Sequence, residues 1–92
     1  MVEDYISIIL IDTNKTAYYY LNGGCYIFAS KLKQLLGGDI LYLVNEYHFV
    51  LRLNNKLYDA SGNVTNTYKA SKFISESDFF KRNRLVKEFK LC

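Results

Sequence analysis

The chain has 92 residues, half of them hydrophobic, which suits one domain with a modest core. Two cysteines are too few for a disulfide framework, and no apolar run reaches the roughly 18 residues of a membrane span. The net charge is +3 at pH 7, and the positive excess falls in residues 69–92, where a basic stretch is more often a solvated helix face than a nucleic-acid site. We therefore expect a single cytoplasmic domain in which Cys25 stays a thiol.

The first half of the chain contains one clear helical pattern. An apolar run at residues 4–11 fits either a buried strand or a first helix, because periodicity does not decide for so short a run. The segment Asn22-Gly23-Gly24 is the strongest break before the midpoint. From Cys25 to Leu36, apolar residues recur at helical spacing, which predicts an amphipathic helix that ends at Gly37-Gly38.

Short apolar runs separated by turn residues follow this helix and predict an antiparallel meander. Its strands are expected at residues 39–44, 47–53 and 56–60, with a fourth at Val64–Tyr68. A terminal helix is expected from Ser77-Asp78 onward, with a loose apolar stripe of Phe79, Val86 and Phe89. The predicted fold class is α+β: a central helix carrying Cys25, packed on a small antiparallel sheet, and a C-terminal helix.

Cys25 stands at the predicted start of the central helix, directly after two glycines. A free cysteine, with a pKa of about 8.5, is only a few per cent thiolate at neutral pH. The unpaired N–H groups of a first helical turn favour the anion, and they suit the oxyanion of a tetrahedral intermediate as well. A cysteine on the apolar face of a helix is, by itself, more often a small core residue.

The sole histidine, His48, opens the second predicted strand, and Asp59 lies on the next one. If Asn54-Asn55 is a two-residue turn, Asp59 lies diagonal to His48 on the same face of the sheet, roughly 7–8 Å away at the backbone. A carboxylate can orient an imidazole across that distance. A three-residue loop would instead put Asp59 on the opposite face.

The ordered segments GGCYIFASKL and HFVLRLNNKLYDASG resemble the papain-like fold, and most closely its transglutaminase-like branch. The resemblance covers about residues 18–65. It implies a catalytic triad in which Cys25 is the nucleophile, His48 the base and Asp59 the orienting carboxylate. The sequence departs from that pattern before the cysteine: the usual preceding helices are nearly absent, and Tyr19 stands where papain-type proteases keep an oxyanion-binding glutamine.

Two functions remain open. The first is a minimal thiol-dependent acyl-transfer enzyme, a peptidase, deamidase or transglutaminase, acting on a protein or peptide. The second is a non-catalytic binding module or inhibitor on the same scaffold, with nucleic-acid binding through residues 69–92 as a less favoured variant. The absence of proline and the wealth of Asn, Lys, Ile and Tyr are typical of low-GC bacteria and their phages. One histidine and no Cys-x-x-Cys pair give no reason to expect a metal or cofactor.

Overall fold

A computed structural model describes residues 1–86 of the chain. The helices of this part are α1 (Val2–Thr13), α2 (Ala17–Leu21), α3 (Cys25–Leu36), α4 (Thr65–Tyr68) and α5 (Glu76–Val86). The strands are β1 (Asp39–Leu43), β2 (His48–Leu53), β3 (Lys56–Asp59), β4 (Gly62–Asn63) and β5 (Phe73–Ser75). Over residues 1–86, the helices are all too short or too polar to cross a bilayer.

The strands form one antiparallel sheet in the order β4-β3-β2-β1-β5. Successive strands from β1 to β4 are neighbours, which is the meander that the turn spacing predicts, while β5 returns to pair with the far edge of β1. The predicted α+β class is therefore confirmed, with helices beside a small antiparallel sheet.

The central helix has the predicted bounds, from Cys25 to Leu36. Its buried residues repeat at helical spacing and face the sheet. Gly37 ends it with φ 79°, a positive value that suits glycine, and its N–H donates to the carbonyl of Lys33. Gly38 then passes so close to β2 that a Cβ would lie 2.6 Å from the carbonyl oxygen of Arg52.

The apolar run at residues 4–11 lies within α1, so the helical alternative is correct. Ile6 and Ile9 bury one side of α1 against the core, and Asn14 ends the helix in the left-handed conformation. Thr16 then caps α2 by accepting a hydrogen bond from the N–H of Tyr19 at 3.1 Å. The expectation that helices are nearly absent before the cysteine is thus wrong.

Asn54 and Asn55 form the two-residue turn on which the site prediction depends. Both have positive φ, 53° and 63°, as a type I′ hairpin requires. The observed pairs are Leu53 with Lys56, Arg52 with Leu57, and Leu51 with Tyr58. This is the register that keeps the side chains of His48 and Asp59 on one face of the sheet.

The sheet is buried on both faces. The face toward α1, α3 and α5 carries Ile40, Tyr42, Phe49, Leu51 and Tyr58, which pack with Phe28, Leu32 and Phe79. The other face carries Leu41, Leu43 and Val50, covered by Val64 and partly by Leu57 and Tyr68.

The fourth predicted strand, Val64–Tyr68, is wrong, because this segment forms the short helix α4. Asn63 Oδ1 accepts from both the N–H and the hydroxyl of Thr65, and the N–H of Tyr68 bonds the carbonyl of Val64. These local bonds satisfy the backbone without a neighbouring strand.

The predicted terminal helix is present as α5, which begins one residue before the predicted start, and Phe79 of its apolar stripe is buried. Phe89, like residues 87–92 of the basic segment, lies outside the described residues.

Candidate active site

Cys25 is the first residue of α3, and its side chain turns into the core, where the residue is 3% exposed. The N–H of Phe49, the second residue of β2, donates to Cys25 Sγ at 3.4 Å. The pairing of β2 with β3 runs from Leu51 to Leu53, and Phe49 lies two residues before Leu51 in the chain. The sulfur therefore bonds the backbone of β2 at the corner where β2 and β3 separate.

The two glycines before Cys25 have distinct geometric roles. Gly23 has φ 126°, which a residue with a side chain rarely adopts. Gly24 lies against α2: a Cβ there would be 3.0 Å from Tyr20 Cδ1, 3.3 Å from Tyr20 Cα and 3.3 Å from Tyr19 Cε2. The pair thus lets the chain turn sharply out of α2 and start α3 in contact with it.

His48 and Asp59 form a buried pair, with 2.8 Å between Nε2 and Oδ2. They are 6% and 4% exposed, and among residues 1–83 they are the only polar or charged residues that are buried. Because side chains alternate along a strand, His48 shares its face with Val50, on the side that α4 covers. The ring of Tyr68 in α4 lies 5.8 Å from the imidazole, centroid to centroid.

Ser61 fixes the other oxygen of the carboxylate. Its N–H and its hydroxyl both donate to Asp59 Oδ1, at 2.8 and 2.5 Å. Burial acts to raise the pKa of Asp59, but the hydrogen bonds from His48 and Ser61 favour the anion and hold that pKa below its ordinary value. Oδ1 is therefore held by Ser61, and Oδ2 is left to face the imidazole.

The sulfur and the imidazole lie on opposite sides of β2. Phe49 points toward α3, whereas His48, one residue earlier, points toward α4. The amide that bonds Cys25 Sγ is the one that joins these two residues. The structure therefore brings the side chains of His48 and Asp59 together, and it brings Cys25 Sγ to the backbone amide between His48 and Phe49.

The oxidation state of Cys25 differs from the sequence expectation, because the structure records it as disulfide-bonded rather than as a thiol. The chain's other cysteine, Cys92, lies outside the described residues. Thiol chemistry at Cys25 therefore requires reduction first.

Two contributors to the site were not identified from the sequence. Ser61 stands in the motif Asp-Ala-Ser-Gly. An aspartate carboxylate often accepts a hydrogen bond from the residue two positions later, so this motif is itself a signal. The sequence gives no signal for Tyr68, because the composition of its segment predicts a strand rather than the helix α4. Among residues 1–86, no cluster of three or more histidine, cysteine or acidic side chains offers a metal site.

The model of the family described as phage YunG-like protein matches residues 3–90. No curated protein and no solved structure matches the chain.

Proposed function

The chain belongs to the phage YunG-like family, and from its site we propose that it is a small thiol-dependent acyl-transfer enzyme of papain-like or transglutaminase-like type. Cys25 is the nucleophile, His48 the acid and base, and Asp59 the residue that orients the imidazole. The observation that carries the proposal is the buried His48–Asp59 pair at 2.8 Å, next to the amide that bonds Cys25 Sγ.

In this reaction reduced Cys25 is the nucleophile, and the imidazole of His48, which lies on the α4 side of the sheet beside Asp59, has to turn toward the sulfur to take up the thiol proton. The sulfur attacks the carbonyl carbon of a carboxamide, either a glutamine side chain or a peptide bond. The tetrahedral intermediate collapses as His48 gives its proton to the departing nitrogen, which leaves as ammonia or an amine. Water or a second amine, deprotonated by His48, then attacks the thioester and releases the acyl group from the sulfur.

The start of α3 suits the charge that develops in this reaction. Gly24 at the N-cap has no side chain to occupy the first N–H groups of the helix. Those groups point toward the end of the helix that carries Cys25, and the helix dipole adds to their effect. An oxyanion formed on the carbonyl that Cys25 attacks would be stabilised there.

The test measures ionisation of Cys25 rather than its accessibility, because the buried sulfur could react slowly for steric reasons alone. The variant Cys92→Ser leaves one thiol, and a matched Cys92→Ser/Cys25→Ser chain provides the blank. The difference in absorbance at 240 nm, followed from pH 4 to 10 with reductant, reports the thiolate. We expect thiolate at pH 6–7 with His48 intact, and its loss from that range in His48→Gln. Thiolate that forms only above about pH 8.5, whether or not His48 is present, would contradict the proposal.

Turnover is tested with a glutamine-containing peptide and hydroxylamine as acceptor, by following hydroxamate formation. The reduced Cys92→Ser chain should form hydroxamate, whereas Cys92→Ser/Cys25→Ser should not. Asp59→Asn should slow the reaction strongly while keeping some activity, because the carboxylate orients the ring without touching the substrate.

A non-catalytic binding module is the second candidate, and the burial of Cys25 favours it. At 3% exposure, the sulfur meets a substrate carbonyl only after its covering side chains move. A module of this kind would bind its target equally well as Cys25→Ser. Full target binding together with no hydroxamate formation would support this second function over the first.

A further inference from the structure

A groove of about 200 Å³ opens to solvent between the second half of α1 and the second half of α3. Its apolar rim is exposed, because Ile8 is 45% and Leu35 51% accessible to solvent. Ile11 follows Ile8 by one helical turn and is 76% exposed. Large apolar side chains that lie together on a surface are typical of an interaction site, whereas a single exposed one is not. We call the groove with Ile8, Ile11 and Leu35 the α1–α3 face.

The two charged side chains that line the groove have opposite signs and lie on opposite sides of it. Asp12 belongs to α1 and Lys31 to α3. Within residues 1–86, neither is within 4 Å of an opposite charge. Lys33, the other charged residue of α3, does have such a neighbour, since its Nζ lies 3.8 Å from Glu76 Oε1. An acid and a base on the two sides of one apolar groove make the α1–α3 face complementary to itself rather than to a partner of one charge.

The direction of a two-fold axis determines which residues meet when two copies place this face together. With the axis along the groove, α1 of one copy lies over α3 of the other, so each Asp12 meets the Lys31 of the other copy. Ile8 and Ile11 of each copy then cover Leu35 of the other. With the axis across the groove, α1 would lie over α1, and the two Asp12 carboxylates would approach each other. The charges therefore select the axis along the groove.

We propose that the α1–α3 face is the interface of a symmetric homodimer, held by its three apolar side chains and by two reciprocal ion pairs between Asp12 and Lys31. The apolar side chains supply the affinity, and the ion pairs set the orientation. The face is smaller than the standard interface of about 800 Å² per partner, so we expect a weak dimer with a dissociation constant of about 10 µM to 1 mM. Cys25 is at the other end of α3, so the dimer does not depend on the proposed enzyme activity.

Sedimentation equilibrium of the original chain, up to about 2 mM and with and without reductant, measures self-association. We expect dimers in both buffers. Ile11→Lys should weaken the association at least tenfold, because it places a charge in the apolar contact, and Ile11→Gln serves if that variant unfolds. Tyr47→Asn is the matched control. It removes an exposed aromatic ring outside the face, at a position whose φ of 53° suits asparagine, and should leave the association unchanged.

Reversal of one charge at a time tests the arrangement of the two copies. Asp12→Lys and Lys31→Asp should each weaken self-association about fivefold, since each homodimer then has two contacts between like charges. An equimolar mixture of the two variants should restore the association, because both contacts of the mixed dimer again join opposite charges. A defect in the fold of either variant would not be repaired by mixing.

A chain that stays monomeric at about 2 mM would overturn the proposal. So would association that disappears with reductant, which would be a disulfide-linked pair, or a mixture that associates as weakly as either charge variant alone. Binding to phosphatidylcholine vesicles that is lost in Ile11→Lys, without self-association, would overturn it too and assign the face to a membrane. Dimer formation and thiolate formation are separate measurements, so this inference and the proposed enzyme activity can fail independently.

Discussion

The hydroxyl of Ser61 should contribute measurably to stability, although Ser61 is exposed. Its bond to Asp59 Oδ1 is 2.5 Å long, and the acceptor is a carboxylate at 4% exposure. A hydrogen bond to a charged group contributes roughly 1.5–3 kcal/mol. The N–H of Ser61 remains in the variant Ser61→Ala, so we expect a loss near the lower end, about 1.5 kcal/mol. For a domain of this size, that loss lowers Tm by about 6–12 °C.

The assay is urea unfolding followed by circular dichroism, with reductant throughout and at several pH values. Ser71→Ala is the matched control, because the hydroxyl of Ser71 bonds the carboxylate of Glu46 at 3.1 Å in an exposed pair. That variant should cost no more than about 0.5 kcal/mol.

The pH dependence has a definite sign. The pKa of Asp59 is lowered on folding, so its stabilising contribution is complete above the ordinary pKa of about 3.9 and is lost as pH falls through the folded pKa. The difference between the original chain and Ser61→Ala should therefore shrink below about pH 4. A loss at pH 7 no larger than that of Ser71→Ala, or a difference that persists unchanged at pH 3, would refute the reasoning.

Three further substitutions test the supports of the site, each by urea unfolding unless stated. Gly24→Ala should cost about 1–3 kcal/mol, because its Cβ would contact the Tyr20 backbone at 3.3 Å; a neutral result would contradict the close approach of α2 to α3. Tyr26→Phe removes the bond that the phenol donates to Glu76 and should cost about 1 kcal/mol. Burial and that bond raise the pKa of Tyr26, so an ultraviolet titration of the original chain should contain a phenol that ionises late and disappears in the variant. Asn55→Gly should stabilise by up to about 1 kcal/mol, since φ is 63° there, and a loss would argue against the type I′ turn.

The parts of the fold that local chemistry dictates were predictable. The helix from Cys25 to Leu36 is visible in its own sequence, through the helical spacing of its apolar residues and the glycine that follows its last residue. The hairpin at Asn54-Asn55 fixes its register through the turn, and with it the common face of His48 and Asp59, which the 2.8 Å bond confirms.

The remaining features depend on contacts between distant segments. Val64–Tyr68 has the composition of a strand, but Asn63 satisfies the backbone locally and starts a helix. β5 has only three residues and forms by pairing with the far edge of β1, which no local pattern reveals. The burial of Cys25 and its bond from the Phe49 amide likewise arise from the packing of α3 on the sheet. The papain-like resemblance stays a prediction.

The bond from the Phe49 N–H to Cys25 Sγ makes a main-chain proton sensitive to chemistry at a side chain. Acylation, alkylation or reduction at that sulfur changes the acceptor this proton meets, and a bulky adduct has to displace it. Exchange of that one hydrogen with deuterated solvent should therefore speed up when the sulfur is derivatised, while the paired amides of β2 keep their protection. The exchange rate of the Phe49 amide would therefore report whether Cys25 has reacted.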